Sequence, residues 1–218
     1  LVWLWFVGAQ PHAAEEAAVA LDAAAPPRTV LLALFALGCP PANPDAGDGA
    51  ASARLLGHLV RRVWPQLLRQ LESHEAIGAA LVAHALFAAH SGANPAAAVR
   101  PVLREMVSLV ASMLDEGTAR PAPALAFAHA FLLLCAAHCP RALAAVGGSA
   151  LPRAASTLLR SGYTPFALAL LVETGEPRDA DRAARLLAAH DDAARRPALS
   201  DAGLATALER EARRAANG

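Results

Sequence analysis

The sequence predicts an all-α protein arranged as a helical solenoid of about three repeats with irregular terminal helices. Three observations carry that prediction. Hydrophobic residues make up 56% of the chain, and much of that share is alanine, the best intrinsic helix former, while strand formers other than valine are thin. Long apolar runs are punctuated by proline at their starts and by glycine at their ends, as helices are. Finally, the text echoes itself: VAHALF (82 to 87) returns as FAHAFL (127 to 132) and SMLDEG (112 to 117) as TLLRSG (157 to 162), both at an offset of 45 residues. A shared period near 40 to 47 residues is that of solenoid units made of two or three helices, each stacking on the next because a lone helical hairpin cannot bury its apolar stripe.

Taken in order, helices are expected near 1–8, 13–24, 28–37, 51–62, 65–73, 76–90, 95–116, 122–138, 140–146, 149–161, 164–173, 178–190 and 200–216. Pro65, Pro95, Pro152 and Pro165 stand at helix starts, where a missing N–H costs nothing. Gly117, Gly162 and Gly175 mark ends. Pro101 is expected to break the 95–116 segment, since a proline inside a helix removes a hydrogen bond and crowds the preceding turn. PPANPDAGDG (40 to 49) reads as a loop. The last helix has Leu204 and Leu208 on one side and charge on the other, as a capping element would. The whole reads as one domain: a partial leading unit at 1–27, repeat units over 28–175, and capping helices at 176–218.

The stretch HAFLLLCAAHCPRALAAVGGSALPRAASTLLRSG (129 to 162) resembles an armadillo repeat, with a long inner helix, a short helix and a glycine-led final helix carried by Gly148, Leu151, Pro152, Leu158, Leu159, Ser161 and Gly162. WPQLLRQLES (64 to 73) is similar through Pro65, Leu67, Leu68, Leu71 and Ser73. The likeness covers roughly residues 28 to 175, and HEAT-type repeats are a close competitor. It implies a right-handed α-solenoid that binds proteins along a groove. The family's groove tryptophan falls on His84 and His129, and its asparagine on Ala88 and Leu133. Alanine and leucine cannot hold a peptide amide, so the implied partner is a peptide or folded protein docked by apolar anchors. The candidate groove residues are His84, Phe87, His129, Leu133 and Phe166.

Composition narrows the chemistry further. All 19 basic residues are arginine, and 19 acidic residues balance them to a net charge of zero. Lysine chemistry is therefore excluded, and without a basic field no nucleic-acid partner is expected. Three cysteines, Cys39, Cys135 and Cys139, make no disulfide framework and point to a reducing compartment, cytoplasmic or nuclear. The opening LVWLWFVG is too short for a spanning helix and reads as the inner helix of a preceding unit in a longer chain or complex. The run from Ala124 to Cys139 is also short of a span.

No sequence motif specifies a reaction. Ser73-His74-Glu75 has the letters of a hydrolase relay, but adjacent residues cannot present its geometry. Cys135, His138 and Cys139 share a helical turn, with His90 a possible fourth group, yet structural zinc sites generally draw spaced pairs from separate segments. The expected use of the cysteines is as small apolar side chains, with no metal and no cofactor. The arginines, with Glu209, Glu211, Asp191 and Asp192 beside the C-terminal ones, read as solvated helix faces. The expected function is thus a non-enzymatic interaction scaffold. The alternatives are a compact helical subunit of a large viral, ciliary or mitochondrial assembly and, more remotely, an all-α enzyme. The two readings of shape separate on one point: solenoid copies would place 82–90 and 127–138 side by side and parallel, whereas a bundle would oppose or part them.

Overall fold

Among the described residues of a computed structural model, the fold comprises nine α-helices and no strand. It describes residues 53, 56–57, 59–91, 97–116, 121–148, 150–175, 177–189 and 199–217. The helices expected near 1–8, 13–24 and 28–37, the 40–49 loop and Cys39 lie outside them. A π-helical turn, Leu59–Val63, runs into α1 (Trp64–Gln70). There follow α2 (Ser73–His90), α3 (Arg100–Glu116), α4 (Ala122–His138), α5 (Pro140–Gly147), α6 (Ala150–Arg160), α7 (Thr164–Thr174), α8 (Pro177–Ala189) and α9 (Asp201–Asn217).

The local signals act as their physics requires. Pro65 and Pro165 sit in the first turns of α1 and α7. Pro101 does not break a helix; α3 begins at Arg100, so the ring occupies the first turn, where no intrahelical N–H is needed. Residues 97–99 form a turn in place of the helix expected there. Gly162 ends α6 at φ +82°, a conformation that favours glycine. Its N–H donates to the Leu159 carbonyl and the N–H of Tyr163 to that of Leu158, the paired bonds of a Schellman cap. That cap turns Tyr163 inward. Pro140 ends α4, and the chain bends by 118° into α5 with Cys139 at the corner.

The core is organised around α4. Eleven of its residues are buried, from Ala124 to Ala136, so it is apolar on nearly every side. α2 packs along it through the alanines of both helices, which let the backbones approach closely. Phe131 stacks on Phe127 at 6.3 Å and meets the edge of Phe87 at 5.8 Å, while Trp64 reaches Phe127 at 5.7 Å. α9 returns from the C-terminal end to pack on both α4 and α2, α7 also lies on α4, and α3 bridges α4 to α5 and α6.

The two echoing stretches do touch, but they run in opposite directions. Phe87 faces Phe131, and His84, one turn earlier in α2, faces His138, two turns later in α4. In a parallel register with Phe87 beside Phe131, His84 would be level with Ala128 and about 15 Å along the axis from His138. α9 also opposes α4, pairing Glu211 with His129 and Asp201 with His138. The parallel stacking expected of repeat copies is therefore replaced by antiparallel packing. α4 serves both partners because it is apolar on nearly every side, and an alanine-lined stripe has no direction of its own. No single described helix is long and apolar enough to cross a membrane.

Candidate functional site

Two polar clusters interrupt this apolar interior, and each takes one of the histidines singled out by sequence. The first joins α4, α7 and α9. His129 on α4 is set by its Nδ1 contact of 3.2 Å with Glu211 Oε1 on α9. Tyr163 O–H donates to Glu211 Oε2 at 2.6 Å. A carboxylate only accepts, so Nδ1 carries the proton and, in the neutral ring, Nε2 faces the Ser161 hydroxyl at 3.5 Å as an acceptor. The guanidinium groups of Arg214 and Arg210 lie over the Tyr163 ring at 5.3 and 5.9 Å.

The electrostatics follow from burial. Glu211 is 5% exposed; burial alone would raise its pKa, but hydrogen bonds from His129 and Tyr163 and the nearby charge of Arg214 hold it below the ordinary carboxylate range. Burial and the facing carboxylate push the Tyr163 phenol well up, so it stays a donor. Glu211 is the residue that sequence reading placed among solvated acids. A signal for its burial existed: Leu204, Leu208 and Glu211 recur at the spacing of one helix face, and Leu204 and Leu208 do pack inward.

The second cluster lies at the α4–α5 corner. His84 Nε2 is 3.7 Å from Cys139 Sγ, and the ligand atoms of His84, Cys135 and Cys139 all lie within 4.8 Å of one another. The His138 ring stands 5.7 Å from that of His84, with its Nε2 3.8 Å from Asp201. Cys135 is fully buried and its thiol is pushed up, first by desolvation. Cys139 is pulled down to about 5, chiefly by the hydrogen bond from Cys135 and then, against its partial burial, by the imidazoles of His84 and His138. Sequence spacing found Cys135, His138 and Cys139 but offered His90 as their companion. Antiparallel packing brings His84 instead and carries His90, six residues on, about 9 Å away along α2. On exposure to iodoacetamide the native protein is expected to be alkylated at Cys139 and spared at Cys135, read by peptide mass mapping; equal labelling would show that the corner is open.

The five groove candidates are thus dispersed. Phe87 and Leu133 are 0% exposed and Phe166 is 4% exposed, so all three are core residues with no face for a partner. His84 and His129 are half-buried but sit in separate clusters. Ser73, His74 and Glu75 form the first turn of α2, where the Glu75 carboxylate accepts from the Glu72 N–H at 3.1 Å and His74 is exposed. They build a helix start. Comparison of the chain with family models, curated proteins and solved structures finds no match.

Proposed function

We propose that this chain is a non-enzymatic helical module that holds another protein, as an adaptor or as a structural subunit of a larger assembly inside the cell. One observation carries the reading: Ser161–His129–Glu211, a constellation with the letters of a catalytic relay, has the geometry of a structural tie. Catalysis of acyl transfer needs donors aimed at a developing oxyanion. Here the N–H groups of Ser161, Gly162 and Tyr163 are spent on the carbonyls of Thr157, Leu159 and Leu158. The serine also sits at the C-terminal end of α6, the negative end of the helix dipole, which disfavours an anion. The second carboxylate oxygen is taken by Tyr163.

Two architectures suit such a module, an armadillo- or HEAT-like solenoid and a bundle closed on one central helix. The opposed α2–α4 pair and the return of α9 onto both favour the bundle, with the 45-residue echo being one face pattern used from both sides. Partner contact then falls to the outer faces. Arg178, Arg182 and Arg185 on α8 are exposed, and planar guanidinium groups suit the carboxylates of an acidic partner. Affinity capture with crosslinking mass spectrometry is expected to place a partner on α8 and to lose it with Arg178→Glu/Arg182→Glu. A fluorophosphonate probe should leave Ser161 unlabelled. Labelling that requires His129, or crosslinks confined to other faces, would overturn the corresponding part of the reading.

A further inference from the structure

We propose that the α4–α5 corner is a binding site for zinc, held by His84 Nε2, Cys135 Sγ and Cys139 Sγ, with His138 placed to close the fourth position. The argument starts from donor chemistry. Two thiolates and an imidazole are soft-to-borderline donors, the set that zinc takes in tetrahedral sites, and two histidines with two cysteines make a complete structural shell. Such donors are scarce in this interior, yet three arrive together from two helices, His84 being 55 residues from Cys139. Chance would not favour bringing the scarcest polar atoms to one corner of an alanine-rich bundle.

Distances agree with the assignment. Tetrahedral zinc with bonds of about 2.3 Å to sulfur and 2.0–2.1 Å to nitrogen separates a sulfur from a nitrogen ligand by about 3.6 Å; Cys139 Sγ and His84 Nε2 are 3.7 Å apart. Two imidazoles on the same ion place their ring centres about 5 Å apart by the same geometry; those of His84 and His138 are 5.7 Å apart. His138, whose partly exposed ring already faces the Asp201 carboxylate, would turn toward the ion to close the shell, and such a carboxylate pairing orients metal-bound imidazoles.

Local structure prepares the donors. Cys135 lies on α4 and Cys139 caps it, four residues apart, with their sulfurs within 4.8 Å of each other. Pro140 forces the 118° bend that leaves Cys139 outside the helix and turned toward α2. Both cysteines bind as thiolates, and two thiolates cancel the charge of the ion, so the loaded centre is neutral and fits an apolar surrounding. The ion would pin the end of α4 to the middle of α2, the most extensive helix pair in the fold.

The test uses the full chain, purified under reducing conditions without metal. Cobalt(II), as a spectroscopic stand-in, is expected to give thiolate-to-metal charge transfer and the visible bands of a tetrahedral ion, saturating at one per chain and displaced by zinc. Zinc at about a hundred times its dissociation constant should raise Tm by roughly 5–10 °C. Cys139→Ser and His84→Gln should abolish the cobalt bands while circular dichroism shows the helices intact. Cys139→His, which keeps a donor, should retain binding. His138→Asn should weaken it by about 10–100-fold. The assignment fails if no tetrahedral spectrum forms, if Cys139→Ser and His84→Gln leave it unchanged, or if the thiols close into a disulfide in preference to taking the ion.

Discussion

Replacing Phe131 by alanine is expected to lower the free energy of unfolding by about 3–5 kcal/mol, read from urea or guanidinium titration. Phe131 is 0% exposed and stands where α2 and α4 cross, between Phe127 of its own helix and Phe87 of the opposing one. Truncation removes the transfer free energy of the ring and leaves a cavity, because the alanine-lined backbones around it are already close and have little side chain with which to fill the gap. Phe131→Leu should cost less than about half as much, since it keeps most of the volume. As a control, Leu159→Ala, at a side chain 44% exposed, should stay within about 0.5 kcal/mol. The edge-to-face contact itself is separable: a double-mutant cycle with Phe87→Leu should show coupling of about 0.5–1.5 kcal/mol. Zero coupling would mean that the two rings do not meet and that the antiparallel pairing of α2 with α4 is wrong.

The helices were legible and their arrangement was not, for a physical reason visible in these same residues. Proline and glycine punctuation acts locally, so α4, α6, α7 and α9 fall within a residue or two of their expected bounds. Repetition of a pattern is also a local fact. It says that two helices present similar faces, but it does not say whether the faces meet head to head or head to tail. VAHALF and FAHAFL are nearly palindromic in their sequence of small and large side chains, so the stripe reads alike in either direction. The choice between parallel stacking and antiparallel pairing is made by what each helix end meets, including the 118° corner at Cys139 and the return of α9.

The same limit governed the polar clusters. Cys135, His138 and Cys139 were visible together because four residues of one helix span a turn. His84 was not visible as their companion, since only the direction of α2 decides whether His84 or His90 reaches them. Glu211 was misplaced for a different reason. Flanked by Glu209, Arg210, Arg213 and Arg214, it sits in a charge-rich text, and its buried position shows only when the Leu204 stripe is extended one more turn. Burial of a lone carboxylate there is costly unless partners wait for it. The partners are Tyr163, turned inward by the Gly162 cap, and His129.

Glu211→Ala is accordingly expected to destabilise the protein by about 3 kcal/mol at neutral pH, because it strips a buried phenol and an imidazole of their acceptor together. Glu211→Gln, which can still accept from Tyr163 but loses its charge, should cost less. Tyr163→Phe should cost about 1.5–3 kcal/mol, the range of a hydrogen bond to a charged group. The losses should be less than additive in the double variant, since both remove one network. The pH dependence has a definite sign. The folded carboxyl titrates below its unfolded value of about 4.3, so the unfolded chain binds the proton more readily. The stabilisation is fully present above that pH and disappears as pH falls through the folded value. Acid titrations of wild type and Glu211→Gln, followed by helical circular dichroism, should therefore stay apart above the unfolded value and converge as pH falls through the depressed folded one. A constant gap at every pH would show that Glu211 contributes packing alone, and that α9 is held to α4 and α7 without its charge.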